Sequence, residues 1–219
     1  MFNQTPSPMK TSTILTFAFL AMAAWSCKKN TEELVQSGYV DYYQLKVGNY
    51  WIYEGFTIDS TGVATSTGKF DSAYIEKDTI IRGYTFYKLY ERPFAYLLTS
   101  ELSLVRDSSG YLVNNYGKIL SSNNDFSNVL FTDTSNSILY IGYLKMTGKD
   151  SVVSCPSGDY QTITSRLKVV PTQPNDTHPI RYSYSVYARS IGKIKSHGFF
   201  YSGYKTMESR LLRYHVVTQ

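Results

Sequence analysis

Apolar residues fall on every second position through most of this chain, and that rhythm restricts the fold to sheet. Between Thr162 and Val170, Ile163, Leu167 and Val169 share one side, while Thr162, Thr164, Arg166 and Lys168 share the other. Arg181 to Arg189 repeats the pattern, with Tyr182, Tyr184, Val186 and Ala188 opposed to Arg181, Ser183, Ser185 and Arg189. Successive side chains of a strand point to opposite faces. Such alternation therefore marks strands with one apolar and one polar side, the habit of antiparallel sheets. From Tyr39 onward no segment carries a sustained 3.6-residue apolar repeat.

Turn residues set the boundaries. Tyr50 to Ile58 ends at Asp59-Ser60-Thr61-Gly62, and Lys69 to Ile81 returns through Arg82-Gly83 into Tyr84 to Glu91, a tight hairpin closed by Pro93. Ser100 to Arg106 and Tyr111 to Asn114 flank Asp107-Ser108-Ser109-Gly110, where Asp can bond its own backbone and Gly accepts positive φ. Ile138 to Thr147 and Met207 to Val217 read as further strands. About nine or ten strands in one domain must close, curl or stack to limit exposed edges. The expected fold is all-β: a strongly curved antiparallel sheet or open barrel, with a two-layer β-sandwich as the alternative. Only Pro171 to Pro179 has the length of a sandwich-type connection, and no fixed-period repeat points to a propeller or solenoid.

The start of the chain has a different character. Met9-Lys10 precedes an uncharged run, Ile14 to Trp25, and Ser26-Cys27 follows at once. That run suits the apolar region of a signal peptide and falls short of the roughly twenty apolar residues a spanning helix needs. The order resembles a bacterial lipoprotein signal, read from Met1 or from Met9, in which Cys27 is acylated and becomes the new amino terminus. Residues 1–26 are then a helical signal peptide, 27–38 a tether in which Asn30 and Glu33 can cap a short helix, and 39–219 a single antiparallel β domain. Several acyl tails hold a protein on a bilayer where one does not, so the expected partner is a membrane and the expected location the cell envelope, at the periplasmic or surface face of the outer membrane. With Cys27 acylated, Cys155 has no partner for an intrachain disulfide. The net charge is +5, yet no basic run exceeds Lys28-Lys29, which argues against nucleic acid.

Three stretches carry a resemblance. Gln44-Leu45-Lys46-Val47-Gly48-Asn49-Tyr50-Trp51-Ile52-Tyr53 is similar to the "PLKxGNxWxY" opening of uncharacterised secreted proteins and lipoproteins of Bacteroidota, with Gln44 where many of them have Pro. Ser190-Ile191-Gly192-Lys193-Ile194-Lys195-Ser196 resembles their "GIGxVKS" closing motif, with Ser190 at the first Gly and Lys193 where they carry an apolar residue. Thr79 to Leu89 resembles their central hairpin. The resemblance implies an envelope location and β architecture, and no chemistry. Asp59-Ser60-Thr61, Asp71-Ser72-Ala73, Asp78-Thr79-Ile80 and Asp150-Ser151-Val152 also resemble short O-glycosylation acceptors of that phylum.

Reactive constellations are scarce. His178, His197 and His215 are far apart, and there is no Gly-x-Ser-x-Gly, His-Glu-x-x-His or phosphate loop, so no catalytic residue, metal site or cofactor is assigned. The expected function is a non-catalytic binding or interaction module for a carbohydrate, an apolar ligand or an envelope protein. Trp51 is the candidate ligand-facing aromatic, its other role being to seal one end of the core. The alternative is a glycan hydrolase with a cross-strand acid pair, for which Glu54 and Glu91 serve as an example.

Overall fold

A computed structural model describes residues 40–92, 101–199 and 205–217. The expected signal peptide, the tether and Cys27 lie outside the described residues. The described residues form twelve strands. They are β1 (Tyr50–Ile58), β2 (Ala64–Ile81), β3 (Tyr84–Glu91), β4 (Glu101–Ser108), β5 (Tyr111–Asn114) and β6 (Ile119–Ser122), then β7 (Val129–Asp133), β8 (Tyr140–Cys155), β9 (Gly158–Pro171), β10 (Arg181–Ala188), β11 (Gly192–Phe199) and β12 (Thr206–His215). The tight turns are where expected: Arg82 and Gly83 both have positive φ, as do Ser109 and Gly110, the geometry that two-residue hairpins require.

All twelve strands form one antiparallel sheet in the order β6-β5-β4-β3-β2-β1-β12-β11-β10-β9-β8-β7. Every neighbour except the β1–β12 pair is consecutive in sequence, so the sheet is an up-and-down meander curled until its first and last strands meet. The fold is the open barrel, and the count of nine or ten strands is corrected to twelve. The two-layer sandwich is not the arrangement adopted, since no second sheet exists among the described residues.

The seam lies between β6 and β7, and it does not close as a ladder. Instead β6 leans across the inner sides of β8 and β9. The Ser165 hydroxyl donates to the Leu120 carbonyl at 2.7 Å, and the Ser122 N–H reaches the Met146 sulfur at 3.2 Å. A fully closed barrel of twelve strands would enclose a wide lumen. The overlap narrows it, and the buried small polar residues Ser121, Ser122 and Ser165 let the backbones approach.

One end is closed by residues 40–49. The Asp41 carboxylate accepts from the N–H groups of Tyr43 and Gln44 at 2.8 and 2.9 Å, and its carbonyl accepts from the Ser190 N–H at 2.8 Å. Tyr43 enters the lumen and meets Tyr187 edge to face, with ring centroids 5.4 Å apart. Fully buried Asn49 ties the entry to the exit: its amide donates to the Gln44 carbonyl at 2.7 Å and its oxygen accepts from the Val217 N–H at 2.8 Å.

Candidate functional site

The opening and closing motifs are partners. Trp51 donates from Nε1 to the Ile191 carbonyl at 2.6 Å, and the Tyr53 hydroxyl donates to the Lys193 carbonyl at 2.8 Å. Gly192 has φ +104°, and a Cβ there would sit 2.9 Å from Cζ2 of Trp51. Gly at this point is thus a packing requirement, because the indole lies directly on the backbone. Trp51 is 3% exposed, so the structure places it inside the sealed end.

Beneath Trp51 lies an apolar cavity of about 60 Å³, lined among others by Tyr43, Leu45, Tyr53, Ile75 and Val105. It has room for a few waters. At its inner limit stand Glu91 of β3 and Lys193 of β11, which form an ion pair across the barrel. Burial opposes charging of Lys193. The Glu91 charge, with help from Tyr187 and the hydrogen bond to Glu91, outweighs that cost and leaves its pKa above the usual lysine range.

The same two side chains floor a second space, a cleft of about 300 Å³ that opens outward. Part of its lining is Leu120, Leu144 and Leu167. Adjoining them are Ser165, Ser183, Ser185 and Ser196. Register explains this lining: Leu167 is opposite Ser183, Ser165 opposite Ser185, and Ser185 opposite Ser196, so one row of hydroxyls crosses three strands on the inner side. The Tyr184, Val186 and Ala188 row of β10 therefore lies on the face away from the lumen. It is not left bare. The tip of the β8–β9 hairpin folds back there, with Ser157 N–H donating to the Leu211 carbonyl at 3.2 Å and the Cys155 thiol reaching the Ile194 carbonyl at 3.4 Å. Val153, Cys155 and Tyr160 pack on the cluster that holds Val186, Ala188 and Ile194. Burial pushes the Cys155 thiol pKa up, which makes it a poor nucleophile.

The example acid pair does not assemble. Glu54 alternates with Trp51 and Tyr53 and so faces outward, where its carboxylate accepts from Ser66 at 2.5 Å; Glu91 faces the lumen. Glu101 is opposite Glu91 on β4 but is exposed and lines neither space. The histidines also stay apart. His178 contacts Asp176, His197 stacks on Tyr184 with centroids 4.6 Å apart, and His215 stacks on Tyr50 at 5.5 Å. Of the acceptor-like triplets, Ser60, Ser72 and Ser151 are solvent-exposed.

No family model and no curated protein sequence matches the chain. Two solved structures are similar. One is described as a putative lipoprotein from Parabacteroides distasonis ATCC 8503 (TM-score 0.45, 10% identity, 80% of this chain and 99% of that one). The other is described as a putative exported protein with YmcC-like fold from Bacteroides fragilis NCTC 9343 (TM-score 0.43, 12% identity, 81% of this chain and 100% of that one).

Proposed function

We propose that this chain is a cell-envelope lipoprotein, held at the outer membrane through acylated Cys27, that binds a small amphiphilic molecule without transforming it. The anchor rests on the sequence order of a basic start, an apolar run and Ser26-Cys27. The binding role rests on one observation, the floor of the barrel cleft. Its lining carboxylate, Glu91, is neutralised by Lys193, and the imidazole among its lining residues, His197, pairs in register with Tyr184 and stacks on that ring rather than on the serine row. What remains is a leucine patch adjoining a row of hydroxyls over a closed ion pair, which suits a ligand with one apolar and one hydrogen-bonding part. The apolar cavity under Trp51 is too small for such a ligand and serves the core.

Native mass spectrometry of protein extracted gently from membranes tests the binding role. The expected result is a retained small molecule that disappears in Ser185→Leu, a variant that fills the cleft. Absence of any retained molecule, with no amphiphile raising the melting temperature, would leave the cleft as packing only.

A further inference from the structure

On the opposite side of the sheet from the barrel cleft, β3 to β6 carry an open groove of about 690 Å³. It shares no lining residue with the cleft, so it is a separate surface. Its floor follows from register and alternation: Phe86, Arg106 and Val113 occupy neighbouring outward positions on β3, β4 and β5. Phe86 and Val113 are buried there. One rim is the Arg82-Gly83 hairpin with Tyr84, and the other is the β5–β6 turn with Tyr116 at its tip. The Asn114 side chain builds that turn, its Oδ1 accepting from the N–H groups of Tyr116 and Lys118 at 3.0 and 2.9 Å.

The charges in the groove have one sign. Arg82 and Arg106 line it, and no Asp or Glu does. Neither arginine forms a salt bridge among the described residues. The neighbouring Asp107 alternates to the inner row, opposite Leu112, and caps its own turn by accepting from the Gly110 N–H at 2.8 Å. Arg106 is held flat, its guanidinium 4.4 Å from the centroid of Tyr84 and 5.6 Å from that of Phe86. A stacked guanidinium keeps its N–H edge free for a planar anion, so the residue is preorganised for a carboxylate. Two exposed tyrosines line the same groove. Tyr84 is 56% exposed and Tyr116 is 88% exposed, and Asn114 and Asn115 line the groove with them.

We infer that this groove is a binding site for an acidic saccharide, with Arg106 taking a sugar carboxylate and Tyr84 and Tyr116 supporting the apolar faces of neighbouring sugar rings. The charged residues in its lining are both arginines, which selects an anion. Flat exposed tyrosines offer an apolar surface with a polar tip, and a pyranose presents the complementary pair of apolar face and hydroxyl edge. An acidic peptide is the weaker match, because β3, β4 and β5, which carry the floor residues Phe86, Arg106 and Val113, are each paired on both sides and leave no ladder edge under the floor for an extended chain.

Oligogalacturonate is the probe. Isothermal titration should show binding that weakens as salt rises, and neutral maltooligosaccharide should not bind. Arg106→Ala should lower affinity about ten- to hundredfold, the worth of a charge-assisted pair. Tyr116→Ala, at an exposed turn tip where folding is not at stake, should lower it as well, and the cleft variant Ser185→Leu should leave it unchanged. Arg106→Lys keeps the charge and should still bind weakly. The inference is overturned if neither sugar binds, if the neutral sugar binds equally well, if Tyr116→Ala has no effect, or if poly-glutamate binds as tightly as the saccharide.

Discussion

Replacing Gly192 with alanine probes the join between the two ends of the chain. The new Cβ would sit 2.9 Å from Cζ2 and 3.0 Å from Cε2 and Nε1 of Trp51. The indole cannot retreat without stretching its 2.6 Å bond to the Ile191 carbonyl. Two costs add: alanine at φ +104° is strained by about 1 kcal/mol, and overpacking a filled site adds about 1–3 kcal/mol. Gly62, at φ +85° and with nothing within 4 Å of where its Cβ would stand, isolates the first cost. Gly62→Ala should therefore lose about 1 kcal/mol and Gly192→Ala about 3 kcal/mol. For a domain of this size that is a fall in Tm of about 2–4 °C against about 6–12 °C. Urea unfolding followed by circular dichroism gives both values. In a Trp51→Phe background the Gly192→Ala cost should shrink towards that of Gly62→Ala, a coupling of about 2 kcal/mol. Equal losses at Gly192 and Gly62, or no coupling to Trp51, would refute the packing argument.

Other consequences are open to measurement. Ser190 sits at φ +59°, where an L side chain is strained and the resembled closing motif has glycine, so Ser190→Gly should raise stability by about 0.5–1 kcal/mol in the same urea assay. Burial raises the Glu208 pKa, but hydrogen bonds from Tyr184, Lys195 and Arg210 outweigh it and hold the carboxyl below its ordinary 4.5. Its stabilising contribution is thus full above that pH and lost as pH falls through the lower folded value; Glu208→Gln should flatten the acid limb of a pH–Tm profile. Cys155 is sheltered with its thiol pKa raised by burial, so a thiol reagent should modify the native protein roughly tenfold or more slowly than the urea-unfolded chain.

How far the sequence carries these features differs from strand to strand. β1 and β3 are legible in full because turn residues bound them: Gly48 and Gly62 flank β1, and β3 runs from the Arg82-Gly83 turn towards Pro93 in the sequence. β6 is not: it is four residues long and two of them are serines, buried because the seam needs small side chains rather than apolar ones. β11 hides for another reason. Lys193 faces inward to Glu91 and Lys195 faces outward to Glu208, so charge sits on both faces and no apolar row appears. The apolar row of β10 is plain in the sequence, but the side it faces is decided by the β8–β9 hairpin folding over it, a long-range event. The ion pair at the cleft floor joins residues 102 positions apart, beyond any local pattern. Its one trace is Lys193 itself, a charge at an apolar position of the resembled motif. Gln44 leaves a similar trace: its φ of +49° is closed to the proline of the opening motif.

The central claim joins this barrel to a membrane through one residue, and the intact mass of the protein extracted from membranes tests it. The account predicts a polypeptide that begins at Cys27 and carries a diacylglyceryl group and an amide-linked acyl chain, with Cys27→Ala releasing no such product. A membrane-extracted chain that retains residues 1–26, or one whose mass shows no lipid on Cys27, would contradict it.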